Sequence, residues 1–96
     1  MKLRYTPRAK SDLAEIYDYI AQENPAAARR VIYLVRKAAG SLLENPQIGR
    51  PGRVKGTREL TIDRFPFMVA YCVKQMEVQI LAVIHTARLW PENFQG

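Results

Sequence analysis

The sequence contains the same helix-start signal twice, at Thr6-Pro7 and at Asn24-Pro25. A side-chain oxygen before a proline suits a helix start, because the oxygen accepts an orphan N–H and the proline has none to satisfy. Apolar residues then recur at helical spacing after each signal: Leu13, Ile16, Tyr17 and Ile20, then Ala28, Ile32, Val35, Ala39 and Leu42. Since the connection between the two segments is very short, we predict an antiparallel helical hairpin over residues 7–44.

Strand signals fill residues 57–86. The stretches "TRELTID", "FMVAYCV" and "VQILAVIH" are rich in apolar and β-branched residues, and "KQME" makes a short hairpin connection between the last two. With "KLRY" at the N-terminus, the order is β-α-α-β-β-β. This order predicts an α+β fold in one domain, residues 1–96, with an antiparallel sheet packed on the N-terminal helical hairpin.

The last strand is apolar on both faces, which is typical of an interior strand. Strict alternation places its residues on two faces, with Val78, Ile80, Ala82 and Ile84 on one and Leu81, Val83 and His85 on the other. Cys72 lies in an apolar run without a second cysteine, so we expect a buried thiol and no disulfide. We expect neither a metal nor a cofactor.

Charge is distributed unevenly along the chain. The net charge is +6, which favours an anionic partner. Residues 7–23 are an exception, because they contain Arg8 and Lys10 but four acidic residues. The basic character therefore lies outside the first helix. The sequence shows no membrane span and no signal peptide, so we expect a cytoplasmic protein.

Two basic clusters are candidates for binding. On the second helix, cations at helical spacing surround Tyr33: Arg29, Arg30, Arg36 and Lys37. They form either a solvated charged face or a basic patch with an aromatic anchor. The loop of residues 45–56, "NPQIGRPGRVKG", carries or adjoins Arg50, Arg53, Lys55 and Arg58, which can face phosphates or carboxylates.

The end of the last strand, "VIHTARLWP", contains the only histidine and the only tryptophan. Histidine exchanges protons readily near neutral pH, and Arg88 can steady a phosphate beside it. Three roles for His85 stay open: a cap on the core, a docking contact together with Arg88, or catalysis. Trp90 is either a core residue or an exposed anchor. We expect a short tail over residues 87–96, whose last stretch, "PENFQG", is extended or partly mobile.

The order of elements and several motifs resemble the RelE/ParE superfamily of toxins from type II toxin-antitoxin systems. "YTPRAKSDLAEIYDYIAQENPAAARRVI" resembles the family's opening strand and helical hairpin, with Tyr5, Ala9, Asp12 and Leu13 in its aromatic-x-x-x-Ala-x-x-Asp-Leu pattern. "NPQIGRPGR", "RELTIDRFPFMVAY" and "VQILAVIHTARLWP" resemble its loop, central strands and closing strand. The resemblance implies a toxin that a cognate antitoxin neutralises.

The superfamily has two functional branches. RelE-like members cleave mRNA in the ribosomal A site, whereas ParE-like members are held to poison DNA gyrase. In "FPFMVAY", Met68 stands where the nuclease branch carries an arginine, Thr61 and Glu59 fall near positions of its basic residues, and no tyrosine follows Arg88. The "FPF…Y" form is similar to the Phe-Pro-Tyr type of ParE-like members, so the resemblance favours that branch.

We therefore expect a ParE-like inhibitor of DNA gyrase rather than an enzyme. Its candidate target-binding residues are basic and aromatic: Tyr33, Arg29, Arg30, Arg50, Arg53, Arg58, Arg88 and Trp90. The alternative is a RelE-like ribosome-dependent mRNA endonuclease with His85, Arg88, Arg58 and Arg64 at its active site. A third possibility is a member without toxicity. For each we expect an antitoxin with an acidic C-terminal segment, and contact with operator DNA only through that antitoxin.

Overall fold

A computed structural model describes residues 1–62 and 64–86, and these form two helices and five strands. The elements follow in the order β1 (Lys2–Tyr5), α1 (Pro7–Ala21), α2 (Pro25–Ser41), β2 (Arg50–Pro51), β3 (Arg58–Thr61), β4 (Phe67–Lys74) and β5 (Glu77–His85). The predicted class, an α+β fold with a sheet packed on an N-terminal helical hairpin, is confirmed. Among the described residues, no helix is long and apolar enough to cross a membrane.

Both helices begin at the predicted signals. The hydroxyl of Thr6 accepts a hydrogen bond from the backbone N–H of Ala9 (3.2 Å), and the side-chain oxygen of Asn24 accepts one from Ala27 (3.0 Å). Each cap satisfies a donor that has no partner within its helix, a contribution of about 1 kcal/mol. The buried stripe of α2 passes through Val31 rather than the predicted Ile32, and its other buried members are Ala28, Val35 and Ala39.

The sheet is mixed rather than wholly antiparallel. Its strand order is β1-β5-β4-β3-β2, and β1 runs parallel to β5 while the other pairs are antiparallel. A parallel pair needs a long connection between its strands, and the helical hairpin is part of the connection between β1 and β5. The predicted loop 45–56 also contributes the two-residue strand β2, whose Arg50 pairs with Glu59.

An extra residue in β5 changes which side chains face the helices. Tyr71 of β4 pairs with Ile80, but Ala70 pairs with Ala82, so Leu81 is left over as a bulge. The predicted assignment of one face to Val78, Ile80, Ala82 and Ile84 is therefore wrong. Val78, Ile80 and Val83 pack with the helices, whereas Met68, Ala70, Ala82 and Ile84 form a separate buried cluster.

The first helix is attached to β5 at this bulge. β1 pairs with β5 only as far as Ile80, so the backbone beyond that residue needs other partners on this side. The hydroxyl of Thr6 lies within hydrogen-bonding distance of the carbonyls of Ile80 (2.9 Å) and Leu81 (3.2 Å), and the buried carboxylate of Asp12 accepts the N–H of Val83 (2.9 Å). Arg8 donates to the same carboxylate at 3.1 Å. Asp12 and Thr6 thus hold α1 against the sheet.

We expect the substitution Asp12→Ala to lower the free energy of unfolding by about 1 to 3 kcal/mol, because it leaves the N–H of Val83 without its acceptor. Urea unfolding measures the loss. Asp18→Ala is the matched control, since Asp18 is an exposed carboxylate on the same helix, and its effect should stay within about 0.5 kcal/mol. Equal stability of the two variants would contradict the role given to Asp12.

Candidate functional site

The α2 patch, which comprises Arg29, Arg30, Tyr33, Arg36 and Lys37, lies on the surface. All five residues are exposed, and Tyr33 keeps 62% of its accessible area. This face lies opposite the buried stripe of α2, as helical geometry requires. The predicted aromatic anchor with adjacent cations is therefore physically accessible to a partner.

The basic loop, residues 45–56, is held in place by a tyrosine below it. Tyr71 is fully buried, and its hydroxyl accepts the N–H of Gly49 (2.9 Å) and donates to the carbonyl of Pro46 (2.8 Å). A side chain at position 49 would collide with that hydroxyl, since an added Cβ would lie 2.6 Å from it. The guanidinium of Arg58 also donates to the carbonyl of Gly49 at 2.7 Å. The loop conformation is thus tied to β4 and to β3.

A buried carboxylate organises the cations of this loop. Glu59 is 6% exposed, accepts the backbone N–H of Arg53 (3.1 Å), and lies 3.6 Å from the guanidinium of Arg50. Arg50 nevertheless keeps 70% of its side-chain area in solvent. Because one carboxylate holds both partners, Arg50 is presented to solvent from a fixed backbone rather than from a loose loop.

The structure does not merge the predicted target-binding residues into one patch. Arg36 of α2 lies over the ring of Tyr5 at 5.3 Å, on edge strand β1. Arg50 lies on β2, the edge strand at the other side of the sheet. The α2 patch and the basic loop are therefore two separate basic surfaces. Arg88 and Trp90, the remaining predicted members, lie outside the described residues.

The residues of the alternative nuclease site are also dispersed. His85 pairs with Phe67, whereas Arg58 pairs with Tyr71, four residues farther along β4. Strand geometry then separates the backbones of His85 and Arg58 by roughly 13 Å along the sheet and about 10 Å across it. Arg64 lies in the turn before β4, at the same end of the sheet as His85, and has a positive φ of 70°. Arg88 is outside the described residues.

The position that would carry the nuclease arginine is apolar and buried. Met68 is 4% exposed and clusters with Ala70, Ala82 and Ile84. Its cross-strand neighbour on β3 is Thr61. A methionine in such a cluster has no charge with which to hold a phosphate, and a threonine beside it adds none.

Two grooves flank α1, and the sequence did not identify the residues that line them. The Tyr5 groove, about 430 Å³, is lined by Tyr5, Lys10, Leu13, Ala14, Tyr17, Ile32 and Arg36. Burial raises the pKa of the Tyr5 hydroxyl, an effect that the nearby Arg36 guanidinium partly opposes. Lys10 and Arg36 give this groove a basic rim, which suits an acidic segment.

The His85 groove, about 720 Å³, lies between α1 and the end of the sheet where Phe67 and His85 pair. The two rings meet edge to face, with 5.2 Å between their centroids. Ile16 and Ile20, which the helical periodicity assigns to the core, line this groove and are only partly buried. Helical periodicity predicts that these side chains face inward, but it does not predict whether another helix or strand packs over them.

The comparisons with known proteins agree with this architecture. Residues 3–90 match the family model described as "ParE toxin of type II toxin-antitoxin system, parDE". Y4kP of Sinorhizobium fredii, named provisionally as a toxin, is 41% identical over 91 residues, which is 95% of this chain and 94% of that relative. Toxin RelE2 of Caulobacter vibrioides is 40% identical over 85 residues, covering 88% of this chain and 94% of the relative.

Solved structures give the same result. A chain of the chromosomal ParDE toxin-antitoxin system from P. aeruginosa is similar with a TM-score of 0.80 and 35% identity, over 88% of this chain and 95% of that one. A chain of the RelBE2 toxin-antitoxin complex from Mycobacterium tuberculosis is similar with a TM-score of 0.62 and 27% identity, over 91% and 92%. Proteins named ParE-like and RelE-like therefore both occur among its relatives.

We expect Tyr71→Phe to loosen the basic loop and to lower the free energy of unfolding by about 1 to 3 kcal/mol, because two backbone groups lose their buried partner. Hydrogen exchange at the Gly49 amide should accelerate with it. Tyr33→Phe removes the same hydroxyl from an exposed site and should leave both quantities nearly unchanged. An unaltered Gly49 amide in Tyr71→Phe would refute the anchoring role.

Proposed function

The chain belongs to the ParE toxin family of type II toxin-antitoxin systems, and from this premise we propose that it arrests growth by binding DNA gyrase. A cognate antitoxin neutralises it in this proposal. The protein acts as an inhibitor that occupies its target, and turns over no substrate. The proposal assigns to this chain the activity that is held for ParE-like members, which its sequence resembles.

The single observation that carries the proposal is the position of Met68. Cleavage of RNA through its 2′-hydroxyl needs cations around the developing phosphorane, together with groups that remove and return a proton. Met68 is buried among apolar side chains where the nuclease branch carries an arginine. The wide separation of Arg58 from His85 points in the same direction, because Arg58 cannot stabilise charge at a site around that histidine.

The target surface in this proposal combines the α2 patch with the basic loop. Tyr33 supplies an exposed aromatic anchor beside Arg29 and Arg30, an arrangement typical of residues that dominate binding energy. Arg50 and Arg53 act from the loop that Tyr71 and Glu59 hold in place. The other proposed contacts are Arg58, Arg88 and Trp90, of which Arg58 also supports the loop through Gly49.

A specific relative favours a second candidate function. Toxin RelE2 of Caulobacter vibrioides is 40% identical to this chain, and RelE-like members cut mRNA in the ribosomal A site. In that case His85 is the acid or base, and Arg64 and Arg88 stabilise phosphate charge. Arg58, the remaining member of the predicted nuclease set, lies too far from His85 along the sheet to join them. The substitutions His85→Ala and Arg88→Ala would then each abolish toxicity without disturbing the fold.

The partner in this proposal is an antitoxin with an acidic C-terminal segment. The neighbouring structure from Mycobacterium tuberculosis is a toxin-antitoxin complex, and the net charge of +6 suits an acidic chain that folds as it binds. The basic rim of the Tyr5 groove, formed by Lys10 and Arg36, suits such a segment. Operator DNA is read by the antitoxin, and the toxin domain itself spans residues 1–96.

Expression from a tightly controlled promoter distinguishes the two functions in one culture. We expect early DNA breaks and induction of the SOS response while messenger RNA stays intact, because a poisoned gyrase leaves broken DNA. The same samples are assayed for codon-specific message cleavage. Cleavage that precedes any DNA damage would establish the nuclease function instead, and harmless overexpression of the folded protein would indicate a member without toxicity.

Replacement of the aromatic anchor tests the target surface. Tyr33→Ala should weaken inhibition of purified gyrase about tenfold or more. Truncation of an aromatic residue that anchors an interface typically costs about 2 kcal/mol of binding free energy. Met76→Ala is the matched control, because Met76 is similarly exposed but belongs to the β4–β5 turn and to neither the α2 patch nor the basic loop. Equal inhibition by the two variants would exclude the α2 patch as a contact.

A further inference from the structure

The His85 groove is an apolar cleft open to solvent. It has a volume of about 720 Å³, and its floor includes Ile16, Ile20, Val31, Phe65 and Phe67. Of these five residues, Val31 and Phe67 are buried and the other three are partly exposed. Tyr19, on the α1 side of the groove, is 70% exposed. An apolar floor of this extent beside an exposed aromatic ring is typical of a docking surface.

The rim of this groove is acidic although the chain as a whole is basic. Glu15 and Asp18 stand exposed on α1 at the edge of the groove. Arg8 also lies at the rim, but its guanidinium is 3.1 Å from the carboxylate of Asp12, so this pair balances its own charge. Within residues 1–62 and 64–86, no hydrogen bond or ion pair engages the carboxylates of Glu15 and Asp18.

We propose that the His85 groove binds an apolar segment of the antitoxin that carries a lysine or arginine, with that cation placed over Glu15 and Asp18. The inference rests on the proposed function, in which an antitoxin neutralises this chain. It goes further because it gives the antitoxin an apolar, positively charged segment in addition to its acidic one. A uniformly acidic chain would be repelled by this rim, so the segment in the groove differs in charge from the segment that meets the basic surfaces.

The charge of the molecule makes a sharp test possible. The double variant Glu15→Lys and Asp18→Lys removes the acidic rim, and Glu23→Lys with Glu44→Lys makes the same change in net charge at exposed positions outside the groove. If overall attraction of an acidic antitoxin governed binding, both variants would bind more tightly. The groove proposal expects the rim variant alone to weaken, by about tenfold.

The measurement is the dissociation constant of the cognate antitoxin for each purified variant, with the unfolding curve of each variant as a check on its fold. Wild-type affinity or tighter binding in the rim variant would overturn the proposal. A charge-reversed antitoxin, with glutamate in place of the lysine or arginine, should recover affinity for the rim variant and lose it for the wild type. Failure of that exchange would also overturn the assignment of the cation.

Growth assays separate this proposal from the proposed function. The rim variant should still arrest growth and inhibit gyrase, but co-expressed antitoxin should no longer rescue the cells. If the wild-type chain is not neutralised by its antitoxin, the proposed function itself is wrong. If sedimentation shows that the free wild-type chain self-associates and the rim variant does not, the groove is occupied by a second copy and the antitoxin assignment is overturned.

Discussion

The buried carboxylate of Asp12 is the contact on which the rest of the architecture depends. It accepts the N–H of Val83 just beyond the bulge of β5, where β1 no longer supplies a neighbouring strand. The bulge turns Val83 toward the helices and Ile84 away from them. It also places His85 beside Phe67 on the groove side of the sheet. The Asp12 side chain on α1 therefore stabilises the bulge, and the bulge determines which side chains each face of the sheet presents.

The parts of the fold that the sequence predicted correctly are those determined by neighbouring residues. Thr6 and Asn24 start their helices through contacts with residues three positions away. The bulge, in contrast, depends on pairing between β4 and β5 and on Asp12, which lies far from Val83 in the chain. The parallel pairing of β1 depends in the same way on where the helical hairpin returns the chain. Local sequence patterns therefore predict neither the bulge in β5 nor the parallel pairing of β1 with β5.

The same distinction explains the candidate site. The sequence identified the cations of the basic loop, but not the groups that hold them, because Glu59 and Tyr71 reach the loop only after the strands pair. It assigned Ile16 and Ile20 to the core, since helical periodicity reports direction but not coverage. The alternative nuclease set joins His85 and Arg58 through their side-chain chemistry and the resemblance to RelE-like members. Strand register then separates the two.

The two grooves beside α1 impose opposite requirements on any chain that wraps this helix. The Tyr5 groove has Lys10 and Arg36 at its rim, whereas the His85 groove has Glu15 and Asp18. A partner that fills both must change the sign of its charge over the width of one helix, about 10 Å. This requirement fixes register and direction, because a reversed chain would place like charges together at both rims. A partner of uniform charge can satisfy only one groove, so the charge alternation across α1 favours a partner whose own charge changes sign.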